Sequence, residues 1–191
     1  MRRAVALATA AIVAVAGAAL VAGTGVSGAD ELHVDGSDRL VVLPRYGPNG
    51  SDVVGYRHGE TVTVRFPLVN RGLLPLTVEA VEPFPIQLGL LVAEEIRVDG
   101  RALPVTLSPR QRADVTVTAR FDNCAYFTER AINPYEHAVV RWRAAGLGHT
   151  TQVTYADALL VRSPTIIDCP GRVMDRSAKQ RNRDATITGR G

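Results

Sequence analysis

Apolar and polar residues alternate along much of this chain. In the segment Thr61–Leu68, valine, phenylalanine and leucine fall on one face of an extended chain, and threonine and arginine fall on the other. Successive side chains of a strand point to opposite faces, so this pattern predicts a half-buried β-strand. The same alternation predicts strands at Leu76–Ala80, Ala113–Phe121, His137–Ala144, Thr151–Tyr155 and Leu159–Val161. Weaker patterns predict strands at Leu40–Leu43, Leu88–Val92, Ile96–Val98 and Ala102–Leu107.

The predicted strands are short and separated by turn signals such as Asn70-Arg71-Gly72. No amphipathic helix of ordinary length is predicted after the first 29 residues. Strands with one apolar face must bury it against another sheet. The sequence therefore predicts an all-β fold, an immunoglobulin-like β-sandwich over residues 39–171, preceded by an N-terminal apolar signal or anchor helix. A closed barrel is the alternative.

Residues 1–29 have the features of a membrane-targeting leader. Arg2 and Arg3 form a cationic tip, and no charged residue occurs from Ala4 to Gly23. Ser27-Gly28-Ala29 matches the small-residue site at which signal peptides are cleaved. The apolar run also reaches the length of about 20 residues that a spanning helix needs. A cleaved signal, an uncleaved anchor with its arginines inside, and a buried helix of a soluble protein are the three interpretations.

Two cysteines, Cys124 and Cys169, agree with export. A small even number of cysteines in an exported chain favours a disulfide, and their spacing excludes a C-x-x-C redox or zinc motif. Two unpaired thiols are the alternative.

Charge and composition limit the functions available. Hydrophobic residues make up 46% of the chain, the formal net charge is +3, and Lys179 is the only lysine among 22 basic residues. The basic residues are scattered along the domain, whereas a nucleic-acid-binding protein clusters them on one face. We therefore predict no nucleic-acid partner. The polar segment 30–38 is predicted to be a tether, and the charged segment 172–191 a disordered basic tail.

Catalytic and metal-binding signatures are absent from the sequence. The histidines are far apart and lack H-x-x-x-H spacing; they are His33, His58, His137 and His149. Serines have no G-x-S-x-G context, and the adjacent Glu94 and Glu95 point to opposite faces of a strand. We therefore predict no catalytic residue, no cofactor, no metal and no enzymatic activity. An enzyme or metal carrier with a site built from distant residues is the alternative.

The segment from Asp122 to Tyr135 is the best candidate for a binding loop. Four of its residues are candidates for contact with a ligand: Tyr126, Phe127, Arg130 and Tyr135. A Cys124–Cys169 disulfide would pin the segment after the last strand onto this loop. A loop fixed at the end of a sandwich is a common location for binding sites. The structural alternative is that the aromatic residues plug the end of the core.

Two segments, N-C-A-Y-F-T-E-R-A and L-L-V-R-S-P-T-I-I-D-C-P, resemble a group of uncharacterised actinobacterial exported or membrane-anchored proteins. The run V-N-R-G-L-L-P-L-T-V is similar to the strand–turn–strand of bacterial immunoglobulin-like domains. These resemblances imply the sandwich and a location outside the cytoplasm, and no activity. The cysteines lie beyond the alternating strands, so they would not form the usual bridge between the two sheets.

The predicted function is that of an exported, non-enzymatic module that binds a protein or a cell-envelope component. The membrane is a partner through the N-terminal helix if that helix is uncleaved, which places the domain on the extracytoplasmic side; cleavage would give a secreted protein. A structural subunit of an envelope complex is a further alternative.

Overall fold

The computed structural model describes residues 25–28, 32–36, 41–47, 52–86, 89–165 and 168–170. Residues 1–24 of the predicted leader, with its apolar helix, and the whole predicted tail 172–191 lie outside these ranges. Among the residues that are described, no helix is long and apolar enough to cross a membrane.

The described residues form an all-β fold with two six-stranded sheets. In chain order the strands are β1 (Val26–Gly28), β2 (His33–Gly36), β3 (Val41–Leu43), β4 (Val53–Gly55), β5 (Thr61–Asn70), β6 (Leu76–Glu82), β7 (Leu91–Val98), β8 (Arg101–Ala102), β9 (Val105–Leu107), β10 (Arg112–Phe121), β11 (Ile132–Ala144) and β12 (Leu147–Arg162). A short 3₁₀ helix, Cys124–Tyr126, lies between β10 and β11.

The first sheet has the order β1-β5-β10-β7-β8, and β2 pairs with β5 beside β1. All of its strand pairs are antiparallel. The second sheet has the order β3-β4-β12-β11-β6-β9. Its pairs are antiparallel except that β4 runs parallel to β12. The two sheets therefore pack as a β-sandwich and do not close into a single barrel.

The core lies between the sheets, and the alternation of the sequence supplies it. Along β5 and β10, the apolar side chains that alternate in the sequence are almost fully buried. Phe66 of β5 meets Tyr155 of β12 edge to face, with ring centroids 5.1 Å apart, so the two sheets share one core. Trp142 is buried in the same core, and its indole N–H donates to the Thr151 hydroxyl at 2.9 Å.

The strands predicted from strong alternation are confirmed, with longer bounds. The predicted segments Thr151–Tyr155 and Leu159–Val161 belong to one strand, β12. The register against β11 shifts between Tyr135 and His137, where residues 155–158 bulge from the ladder, and this bulge interrupts the alternation. Likewise, the weak segments at Leu88–Val92 and Ile96–Val98 both reach the single strand β7. That strand begins at Leu91, so Gly89 and Leu90 precede it, and residue 88 is not described.

The sheets extend beyond the N-terminal limit of the predicted domain. The predicted tether, residues 30–38, contains β2, which pairs with β5 from His33↔Arg65 to Gly36↔Val62. The predicted leader, residues 1–29, contains β1, which pairs with the far end of the same strand. β2 is mostly exposed because it is an edge strand, so its sequence lacks the apolar alternation by which strands are recognised.

The two ends of the sandwich differ in what they carry. The end at which β1 begins, here called the leader end, also holds the turns β5–β6, β9–β10 and β11–β12. At the opposite end lie the β4–β5 turn, the β10–β11 connection and the chain after β12. The N-terminal segment therefore enters at one end of the molecule and the C-terminal segment leaves at the other.

Asn70 closes the core at the leader end. Its side chain is fully buried. Its Nδ2 donates to the backbone carbonyls of Leu74, Leu107 and Ser108 at 2.9, 3.2 and 3.0 Å. Its Oδ1 accepts the Gly72 N–H at 2.9 Å. One side-chain amide thus provides hydrogen-bond partners for backbone groups of two turns from different parts of the chain.

Asn70→Ala should lower the free energy of unfolding by about 2–3 kcal/mol, because buried carbonyls would lose their donor. Chemical denaturation measures the loss. Thr77→Ala, which removes an exposed hydroxyl pair with Thr106, is the control and should change stability by about 0.5 kcal/mol or less. Equal losses in the two variants would contradict this role for Asn70.

Candidate functional site

A disulfide joins Cys124 to Cys169 across a sequence separation of 45 residues, with a Cα–Cα distance of 5.8 Å. The predicted disulfide is therefore confirmed. Both cysteines are buried, and the bond fixes the chain after β12 to the 3₁₀ helix of the β10–β11 connection.

Backbone and side-chain hydrogen bonds join the same two segments. The Ser163 N–H donates to the Ala131 carbonyl at 2.8 Å, and the Arg130 N–H donates to the Pro164 carbonyl at 3.4 Å. The Asn133 amide donates to the Ser163 hydroxyl at 2.8 Å. The loop and the post-β12 segment therefore form one fixed wall.

This wall borders a cleft of about 620 Å³ at the end opposite the leader end; that end is called the cleft end below. The opposite wall comes from β3, β4 and the β4–β5 turn. The lining residues are Leu43, Gly55, Tyr56, Arg57, His58, Glu60, Arg130, Arg162, Ser163, Pro164, Thr165 and Asp168. The parallel pairing of β4 with β12 brings the two walls together, because it places Gly55 opposite Arg162.

Positive charge exceeds negative charge in the cleft. Three arginines face two carboxylates, those of Glu60 and Asp168. Asp168 accepts a hydrogen bond from the Thr165 hydroxyl. Arg57 makes no ion pair with another described residue, and Arg130 makes a long ion pair of 3.9 Å with its half-buried neighbour Glu129.

Arg162 is the most constrained of the three arginines. Its guanidinium carbon lies 4.7 Å from the centre of the Tyr46 ring, a cation–π contact. Its Nε is buried and has no hydrogen-bond partner among the described residues, and the side chain makes no ion pair with them. A buried charged donor without an acceptor is unfavourable. Arg162 also lines the cleft, so an anion bound there would be attracted by its uncompensated charge.

Tyr56 and His58 form a second polar feature. The Tyr56 hydroxyl and His58 Nδ1 are 2.8 Å apart. Burial first, and then the charge of Asp122, raise the pKa of Tyr56 to about 12. The phenol therefore stays protonated well above neutral pH, and one hydrogen bond, whose donor depends on the imidazole tautomer, joins it to His58.

Asp122 and Arg120 lie beside this pair. The Asn123 N–H holds the pKa of Asp122 below its usual value, with Arg120 adding to the effect. Arg120 bonds to Asp122 at 2.8 Å and to Glu94 at 2.7 Å. This arginine is therefore neutralised, unlike those of the cleft.

The four residues of the predicted binding loop have different environments. Arg130 lines the cleft. Tyr126 is 67% exposed, and Phe127 packs partly buried against the core. Tyr135 is buried against Phe84, with ring centroids 5.3 Å apart, and burial raises the pKa of its phenol. Tyr135 therefore belongs to the core and Arg130 to the cleft surface.

Sequence reasoning did not single out Arg57, His58 or Arg162 as site residues. Arg57 and His58 lie in a turn between Gly55 and Gly59, and such a turn marks a loop without indicating what it faces. Arg162 opens the segment paired with the candidate loop. The parallel pairing of β4 with β12 brings these residues together. The sequence does not predict that pairing, because the three residues of β4 show no alternation of apolar and polar side chains.

Within the described ranges, no group of three or more His, Cys, Asp and Glu residues is placed to hold a metal ion. The Ser163 hydroxyl is bonded to Asn133, and in the described part of the chain neither an imidazole nor a carboxylate hydrogen-bonds to it. The arrangement offers hydrogen-bond donors and positive charge, which suits the binding of an anionic group.

Comparison with models of known protein families gives no match for this chain. A search of curated proteins also gives no match.

Replacing both cysteines by alanine should lower the free energy of unfolding by at most about 4 kcal/mol, the loop-closure value for a loop of this length. Denaturant unfolding measures the loss, and treating the native protein with reductant should reproduce it. Unchanged stability in the double variant would contradict a stabilising role for the bond.

Stability should fall as the pH rises above about 10. The folded pKa of Tyr56, about 12, exceeds the unfolded value of about 10. The contribution of the neutral phenol is therefore complete below about pH 10 and is lost as the pH rises toward the folded pKa. Thermal melting over this range should show a smaller decrease in Tyr56→Phe, which retains the ring contact with Phe121, than in the exposed-site control Tyr126→Phe. Equal slopes in both variants would contradict the assignment.

Proposed function

We propose that this chain is an exported, non-enzymatic immunoglobulin-like module that binds an anionic protein or cell-envelope component in the cleft. The observation that carries the proposal is the disulfide-fixed cleft, in which three arginines face two carboxylates and two of the arginines, Arg57 and Arg162, make no ion pair with a described residue. The ligand class is one that carries carboxylate or phosphate groups, which guanidinium groups bind with paired hydrogen bonds.

The order of the strands supports the immunoglobulin-like assignment. Such domains have one sheet in the order A-B-E-D and the other in the order G-F-C. Here β1-β5-β10-β7 corresponds to the first order and β12-β11-β6 to the second. The disulfide differs from that of antibody domains, because it links the β10–β11 connection to the chain after β12 and leaves the sheets unbridged.

Two features of the cleft support binding over a purely structural role. Arg130 adopts a left-handed backbone conformation, with φ of 57°, which is unfavourable for a residue with a side chain. Arg162 buries a donor without an acceptor. Neither feature stabilises the domain, whereas both place guanidinium groups where an anion would meet them.

If the cleft arginines bind an anion, replacing them should weaken anion binding without lowering the free energy of unfolding. Arg162→Met and Arg130→Gly should each weaken binding of a polyanion about 10-fold or more, since a hydrogen bond to a charged group contributes roughly 1.5–3 kcal/mol. Neither variant should lower the free energy of unfolding, because methionine removes a buried unpaired charge and glycine favours positive φ.

The measurement is titration of the full chain in detergent with polyglutamate and with a glycerol phosphate polymer, which separate carboxylate from phosphate ligands. Uncharged dextran is the ligand control. Arg110→Gly is the matched protein control, since Arg110 also has positive φ, 62°, but lies at the leader end. Binding that is equal in Arg130→Gly, Arg110→Gly and the native chain would contradict the proposal.

Metal analysis and a hydrolase screen test the non-enzymatic part of the proposal. Stoichiometric metal in the purified chain, or turnover of a substrate, would favour an enzyme or metal carrier instead. Isolation from membranes with one stoichiometric protein partner and no polyanion affinity would favour a structural subunit of an envelope complex.

A further inference from the structure

We propose that the leader end of the sandwich is a membrane-contact surface, and that the mature chain keeps β1. The contact surface consists of Arg71, Leu73, Arg110, Arg112 and Leu147. The inference rests on the predicted uncleaved anchor, which places the exported domain of the proposed function beside a membrane, and it is independent of what binds in the cleft.

The turns of the leader end form one continuous surface. The Arg71 N–H donates to the Gly25 carbonyl at 2.8 Å, which joins the β5–β6 turn to the start of β1. Asn70 joins that turn to the β9–β10 turn through the Ser108 carbonyl. Pairing of Thr77 with Arg143 brings the β11–β12 turn alongside.

The composition of this surface suits an anionic lipid layer. Leu73 and Leu147 are two of the six large apolar residues exposed in the described structure, at 60% and 55%. The same end of the sandwich carries three exposed arginines: Arg71, Arg110 and Arg112. The described residues of these three turns and of β1 include no carboxylate. Apolar side chains that enter the headgroup region, with cations beside them, are the pattern of interfacial membrane binding.

The position of β1 places this surface at the membrane. The uncharged apolar run ends at Gly23, and β1 begins at Val26. Three residue steps span at most roughly 11 Å. An uncleaved anchor would therefore hold the leader end within that distance of the bilayer surface.

Contacts of β1 argue against cleavage after Ala29, because that cut would remove the strand. Val26 is buried, and the Ser27 hydroxyl accepts a hydrogen bond from Arg71 Nε at 2.7 Å. A Cβ on Gly28 would lie 2.8 Å from Val153 Cγ1 and 2.9 Å from the Thr154 carbonyl oxygen. Only glycine fits this close approach of β1 to the second sheet. Gly25–Gly28 is thus built into the fold.

The first test is the N-terminal sequence of the mature protein isolated from membranes. We expect a chain that still contains Gly25–Gly28. A mature chain that begins at Asp30 would overturn the retention of β1.

The second test measures contact with lipid directly. Full-length chain is reconstituted in nanodiscs of phosphatidylglycerol and phosphatidylcholine that contain a lipid with a nitroxide headgroup. Trp142, the only tryptophan, pairs with His149 close to the β11–β12 turn, so quenching of its fluorescence reports proximity of the leader end to the headgroups. A twelve-residue Gly/Ser linker inserted after Gly23 removes the constraint of the short connection and lets the domain move away by roughly 20 Å.

In the linker variant, we expect quenching to persist, and to be lost when Leu73→Asp and Leu147→Asp are added. Arg110→Gly should reduce quenching in phosphatidylglycerol discs, and Arg130→Gly and Tyr126→Asp, at the cleft end, should leave it unchanged. Loss of quenching in the linker variant with the native surface would overturn the proposal. Polyanion titration of the same discs separates the two proposals, since the surface substitutions should not alter cleft binding.

Discussion

Two sheets can share one apolar core only if the chain that joins them also closes both ends of that core. Exposed ends would admit water, and buried turns would leave backbone groups without partners. Asn70 meets this constraint at the leader end by bonding to carbonyls of two turns. At the other end the Cys124–Cys169 bond holds the chain over the core, where both sulfurs are buried. The cleft exists because that closure stops at the β4–β5 turn and leaves a gap lined by Arg57 and Arg162.

The alternation of apolar and polar residues predicted the strands that cross the middle of each sheet. Each of these strands buries one face, so every second residue must be apolar. Edge strands carry less of that signal. β1 and β2 have only three or four residues each, and β2 buries none of them, so the predicted domain began too late. The disulfide was predictable from the number and context of the cysteines. Its attachment of the chain after β12 to the β10–β11 connection was predicted as well. The cleft beside that attachment was not, because it also depends on the parallel pairing of β4 with β12.

The candidate site was only partly predictable for the same physical reason. Arg130 stood out because it lies beside Cys124 in a segment rich in aromatic residues. Arg57 and Arg162 are far apart in the chain, and the parallel pairing of Gly55 with Arg162 brings them together. In a chain whose basic residues are almost all arginine, composition does not distinguish an arginine paired with acids, such as Arg120, from one without an ion-pair partner. Only the folded arrangement makes that distinction.

The positions of the two proposed surfaces limit what the cleft can bind. β5 runs from the cleft end to the leader end through its ten residues, a length of roughly 30 Å. With the leader retained and the leader end on the bilayer, the cleft lies about that far from the headgroups and faces away from them. Lipid phosphates of the same membrane would therefore not reach Arg130 and Arg162. A ligand for these arginines must project from the surrounding envelope, as a polymer or a protein does, so the orientation of the domain itself selects against the most abundant anions nearby.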